Sequence, residues 1–252
     1  MVVFLDMKNF GKYIFETLAI FIGILLSFSV DRCTRENQEI EETKKSVLTL
    51  VKEIENNIYY CENHLIQLEN MKKINEIITS DFTQNLKKDK LIELHNEYPF
   101  GHSYDINGNL IYWNKEENYK NIYQWMITWW NTFAPEDIYF KSLVNSGNLV
   151  LIDDYDVSRE IEAVYTTRKE RVVVNLSLLK ENSDKIRAWA EEKRNSSKNT
   201  ISREFAYNKL QDLKLLNLLE DRDYHIGLRV MSLKNYIKSL KNLKELIESK
   251  YK

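Results

Sequence analysis

The chain has 252 residues, enough for one large or two modest domains with a real core. Its 36 Lys and Arg against 38 Asp and Glu leave a net charge of -2, which argues against a general binder of phosphate backbones. Six Gly and two Pro point to long helices with few tight turns, and two lone Cys argue against a disulfide framework or a zinc site and fit a reducing compartment.

Residues 13–30, YIFETLAIFIGILLSFSV, carry one charge, Glu16. As a helix they span roughly 27 Å, close to the thickness of a hydrocarbon core. A retained transmembrane helix is the expected reading. A cleaved signal peptide is its rival, but Phe28, Val30 and Asp31 make a poor cleavage site beside Ser27 and Ser29. The flank after the segment holds Arg32, Arg35, Lys44 and Lys45, against Lys8 and Lys12 before it, so the C-terminal bulk is expected in the cytoplasm. The chain thus divides into an anchor or pore helix, 1–31, and a soluble helical domain, 32–252.

Ala19, Gly23 and Ser27 recur every fourth residue and form a small-residue stripe of the kind that lets membrane helices approach closely. Glu16 lies beside it. A carboxylate in lipid costs a few kcal/mol, so Glu16 either faces a packing partner or snorkels to the headgroups. In an oligomer, a tetramer or pentamer, symmetry would turn Glu16 into an acidic ring, and such rings favour cations. Glu16 and Asp31 are then the residues expected to line or flank a path.

Beyond the membrane, Val47, Val51, Ile54, Ile58, Cys61, Leu65 and Leu68 alternate spacings of four and three, a heptad seam. Ile226, Val230, Leu233, Ile237, Leu240, Leu243 and Ile247 form a second, with a stutter near Leu243. The two seams predict an intrachain bundle or a coiled coil between subunits. Between them, 86–97 reads as a short helix. Asn107-Gly108 between apolar-rich runs predicts a β-hairpin. The stretch 119–133 is dense in aromatic residues, and Ala134-Pro135-Glu136 reads as a helix start. That helix ends at Ser146-Gly147-Asn148. Asp156 or Ser158 is expected to cap a long helix to about Arg194, a polar loop spans 195–200, and two helices complete the chain. The fold class is mainly α: an N-terminal membrane helix continuing into a helical bundle with a small hairpin.

Asp153, Asp154 and Asp156, and Glu220, Asp221, Asp223 and His225, are acidic clusters of a kind that binds hard cations, but acids just before helices serve as caps, and no metal is expected. His64, His95, His102 and His225 lack ligand spacing. No nucleophile elbow, phosphate loop or dinucleotide fingerprint occurs, so no catalytic residue and no cofactor are assigned and no enzyme is expected. Trp125 and Trp129 with Arg168, Lys169 and Arg171 are the candidates for a nucleotide or oligonucleotide pocket through stacking and charge. Against it, Trp125 and Trp129 share a helix face and suit a core, and the basic residues suit a solvated face.

Two stretches resemble a broad group of poorly characterised bacterial proteins with one N-terminal membrane helix and a helical cytoplasmic region. The first is Gly11-Lys12-Tyr13-Ile14-Phe15-Glu16 through Gly23 to Asp31, with its acid, mid-helix glycine and polar edge. The second is 139–152, with its Ser-Gly-Asn-Leu turn, followed by Ile161 and Tyr165. The chain departs from that pattern at Arg32-Cys33, where the group often carries Asn-Trp. The architecture is also similar to the membrane effectors of bacterial antiphage systems, such as the Hailong effector channel. These likenesses imply a single-pass protein of the bacterial inner membrane. Its partners would be the bilayer, copies of itself and a gating ligand, and its role a channel gated by the cytoplasmic domain. A tethered scaffold that binds a protein partner is the alternative.

Overall fold

The computed structural model describes residues 7–81, 88–104, 110–112, 122–196 and 212–251, and it is mainly helical. Helix α1, Met7–Ser80, contains no proline and runs unbroken for 74 residues, about 110 Å. Helix α2 is Lys88–Glu97, β1 is His102–Tyr104 and β2 is Leu110–Tyr112; α3 is Ile122–Thr128 and α4 is Ile138–Asn145. Helices α5, Tyr155–Ala163, and α6, Lys169–Asn195, are joined by a π-helical turn, Val164–Arg168, and α7 is Leu213–Tyr251. β1 and β2 pair antiparallel, Ser103 opposite Ile111. The expected turn at Asn107-Gly108 lies outside the described residues.

The core lies where α7 packs against both the lower part of α1 and α6. α1 and α7 are antiparallel, and four ion pairs mark their register: Glu55–Lys244 at 2.7 Å, Glu62–Lys241 at 2.6 Å, Glu69–Lys234 at 2.7 Å and Lys72–Asp223 at 3.3 Å. These pairs are about half exposed and screened by water, so each contributes little, and the apolar seams carry the stability.

The seams differ from the expected ones in an informative way. On α1 the buried line is Val47, Leu50, Ile54, Asn57, Cys61, His64, Leu68, Met71, Asn75 and Ile78, an unbroken alternation of three and four. Val51 is buried beside it, while Ile58 and Leu65 are half-buried at its edge. On α7 the line is Leu215, Leu219, Arg222, Ile226, Arg229, Leu233, Tyr236, Leu240, Leu243 and Ile247. The stutter disappears once Arg229 and Tyr236 stand in place of Val230 and Ile237. In both helices polar side chains occupy heptad positions that apolar neighbours one residue away seemed to claim.

Local chemistry sets the remaining ends. Asp154, not Asp156 or Ser158, caps α5, accepting from the backbone N–H of Asp156 at 3.0 Å and Val157 at 3.1 Å. Gly147, at φ +76°, takes the left-handed conformation that ends α4 and starts a 3-10 turn, Asn148–Leu151. The helix expected from Pro135 begins later, at Ile138, because side chains of α1 hold the backbone of 134–136 extended. Residues 197–211, which cover most of the expected 195–200 loop and the first of the two closing helices, lie outside the described residues.

Candidate functional site

Two features stand apart from ordinary core packing: the exposed upper half of α1, and an extended segment threaded through the bundle.

The described residues contain one helix long and apolar enough to cross a membrane, and its apolar window is α1 near the N-terminus. From Phe15 to Asp31 every side chain is exposed, including Glu16, Ala19, Gly23, Ser27 and Asp31. A Cβ added at Gly23 would meet nothing among the described residues within 4 Å, so the stripe packs against none of them. Ser29 and Thr34 return their hydroxyls to the carbonyls of Leu25 at 2.8 Å and Val30 at 2.9 Å. This satisfies them within the helix, as an apolar surrounding requires.

The second feature is the segment 129–137, which links α3 to α4 and joins helical hydrogen bonds only at its ends, Trp129 N–H to the Trp125 carbonyl at 3.1 Å and Lys141 N–H to the Asp137 carbonyl at 2.9 Å. Asn131 and Pro135 are buried while Thr132, Ala134 and Glu136 are exposed, and the backbone groups turned toward the bundle need partners. Here α1 supplies them from one polar stripe, Glu53, Asn57, Tyr60, His64 and Gln67, spaced four, three, four and three. Asn57 makes a reciprocal pair with Glu136, donating to its carbonyl at 2.8 Å and accepting from its N–H at 2.7 Å. Tyr60 Oη accepts from Ala134 N–H at 2.9 Å, and His64 Nε2 donates to the Thr132 carbonyl at 2.7 Å. Glu53, fully buried, accepts from the N–H groups of Tyr139 at 2.6 Å and Phe140 at 3.3 Å, so α1 caps α4 in place of a local residue.

Asn131 is the hub of this strap. Its Oδ1 accepts from Trp129 Nε1 at 2.7 Å, and its Nδ2 donates to Gln67 Oε1 at 3.0 Å. The same Gln67 oxygen accepts from Gly101 N–H at 3.2 Å, tying the loop before β1 to the strap. From the far side, Arg229 donates to the Asn131 carbonyl at 2.7 Å. Arg222 donates to the Trp129 carbonyl and, at 3.0 Å, to Ser183 Oγ. Both arginines are fully buried, and burial pulls the Arg222 guanidinium down to about 9 and that of Arg229 to about 10. Nε and Nη1 of Arg229 have no hydrogen-bond partner among the described residues. Burial likewise pushes the Tyr165 and Tyr236 hydroxyls up, with the Glu53 carboxylate adding to it in both.

The candidates for a nucleotide pocket are not brought together. Trp125 stacks on Phe100 with ring centroids 4.7 Å apart and meets His95 edge-on at 4.5 Å. Trp129 adjoins it, at 5.8 Å. Arg168 forms a bidentate pair with Glu160 across the π turn. Lys169 pairs with Asp137 at 3.1 Å, and with Lys141 it holds the Asp137 carboxyl below the usual carboxylate range. Arg171 is exposed. The acidic clusters serve the fold: Asp154 caps α5 and pairs with Lys250 at 2.9 Å, and Asp223 pairs with Lys72. Among the described residues no group of three metal-ligating side chains converges.

The strap was missed in the sequence because its partners look like the solvated side of a helix. Polar residues at heptad spacing beside an apolar seam were the available signal. The chain matches no family model, no curated protein and no solved structure.

Proposed function

We propose that the protein is an oligomeric membrane effector, a channel of the bacterial inner membrane whose cytoplasmic bundle holds it shut or opens it, acting in antiphage defence. The observation that supports this most is the continuity of α1: the apolar, exposed segment and the helix that grips the strap are one rod. A displacement of the bundle therefore reaches the membrane without a hinge. In this reading the helices associate through Ala19, Gly23 and Ser27, which shelters Glu16 from lipid and sets Glu16 and Asp31 along the path. Full-length protein reconstituted in planar bilayers should pass current, and Gly23→Leu, which fills the narrow side of the helix, should still insert but conduct none. Wild-type conductance in that variant would overturn the packing.

A second reading, a tethered scaffold without a pore, is favoured by one observation. Ile138, Val144, Val150, Leu151 and Tyr155 are exposed on α4, the following 3-10 turn and the start of α5. Such residues suit a protein partner. Replacing 1–31 by an unrelated anchor separates the two: a scaffold keeps its activity and a channel loses it.

A further inference from the structure

Beyond the membrane segment, α1 carries charges that no described residue answers. Glu55, Glu62, Glu69 and Lys72 pair with α7. Glu41, Glu42, Lys44, Lys45 and Lys52, just above them on the same helix, make no ion pair with any described residue. Their position around the helix is not arbitrary. Eighteen residues make about five turns, so Gly23 projects onto Glu41, Ser27 onto Lys45, and Glu16, through Thr34, onto Lys52. The buried seam of Val47, Leu50 and Ile54 lies roughly 140–180° away. The described part of the bundle leaves this strip open. α7 flanks one side through Glu55–Lys244, and α4 flanks the other, where Tyr139, Ser142 and Leu143 share a groove with Lys45 and Thr49. Between them Glu41, Lys45 and Lys52 are exposed and Leu48 is half-buried. Together these residues form a shallow, open surface along α1.

We infer that the small-residue face of the membrane helix continues unbroken into the cytoplasm as a strip from Thr34 to Lys52, and that this strip packs against the same strip of another copy, with the bundles hung on the outside. The inference rests on the oligomer reading above and deepens it. The strip is self-complementary between parallel copies. Glu41 stands one turn before Lys45, so the acid of one copy reaches the lysine of its neighbour, and Leu48 supplies apolar contact beside them. The core of each bundle faces away from the axis and does not obstruct this contact.

The test is cysteine cross-linking of the full-length protein in membranes, in a Cys33→Ser background that leaves only the buried Cys61. Under mild oxidation Thr34→Cys, Glu41→Cys and Lys45→Cys should form at least five times more dimer than Arg32→Cys or Glu39→Cys, which lie toward the seam side. Glu41→Lys should reduce the cross-link at Thr34→Cys several-fold, and adding Lys45→Glu should restore it. The mass of the Cys33→Ser protein extracted in mild detergent separates the two failures. A monomer overturns both the oligomer and the strip. An oligomer that cross-links equally on all faces, or more through Arg32→Cys and Glu39→Cys, overturns the strip alone.

Discussion

Replacing Gln67 by Leu removes one oxygen and leaves two donors without a partner. Gln67 is fully buried, and its Oε1 receives both Gly101 N–H at 3.2 Å and Asn131 Nδ2 at 3.0 Å. Gly101 and Asn131 are themselves buried, so water does not stand in. Each orphaned donor costs about 1–3 kcal/mol. The leucine recovers on the order of 1 kcal/mol through its apolar surface. The net expectation is a loss of about 1–5 kcal/mol. Urea unfolding of the full-length protein in detergent, followed by tryptophan fluorescence, reads this as a lower midpoint at unchanged slope. Trp129, bonded to Asn131, reports locally. Because Gln67 and Asn131 share one network, Asn131→Ala added to Gln67→Leu should cost less than the sum of the two by at least about 1 kcal/mol. A Gln67→Leu loss under about 1 kcal/mol, or strict additivity, would refute the clamp.

Gly101 has φ +73°, and a Cβ there would sit 2.9 Å from Trp125 Cζ2. Gly101→Ala should therefore cost at least about 1–2 kcal/mol in the same assay, whereas Gly147→Ala, with open space around it, should cost only the backbone part. Burial lowers the pKa of His95 below 6.5, against a smaller opposing effect of its hydrogen bond to Phe100. The folded state then holds fewer protons than the unfolded one, so the stability His95 contributes is complete above pH 6.5 and is lost as pH falls toward its folded pKa. His95→Gln should flatten the stability–pH curve in that acid window and leave its slope above pH 7 unchanged.

How far the sequence could be read depends on which residues bury. Apolar periodicity located α1 and α7 and offered their pairing as one of two readings, because Val47, Ile54, Cys61 and Leu68 are seam residues in either register. It chose Val51, Ile58 and Leu65 over Leu50, Asn57 and His64 because an apolar side chain is the better guess when nothing else is known. The structure rotates the seam by one residue because the strap needs hydrogen-bond partners, and that need arises some seventy residues away in sequence. The ring stack of Trp125 on Phe100 was foreseeable as core, whereas the partition of Arg168 to Glu160 and Lys169 to Asp137 depends on the π turn and on the placement of α4.

The polar seam positions also decide how α1 and α7 are aligned. Two helices with apolar residues at every heptad position slide past each other by seven residues at little cost, since each shift presents an equivalent face. Here Asn75 donates to the Leu219 carbonyl at 2.9 Å, and Arg222 and Arg229, one heptad apart, reach the Trp129 and Asn131 carbonyls. A slide of one heptad, about 10 Å along the axis, would bring one arginine to the other's acceptor and leave the second buried without one. An unpartnered buried charge costs several kcal/mol, more than the half-exposed ion pairs on the surface contribute together. The strap is thus the template that fixes the register of the two longest helices, and the arginines are retained inside the bundle although neither pairs with an acid among the described residues.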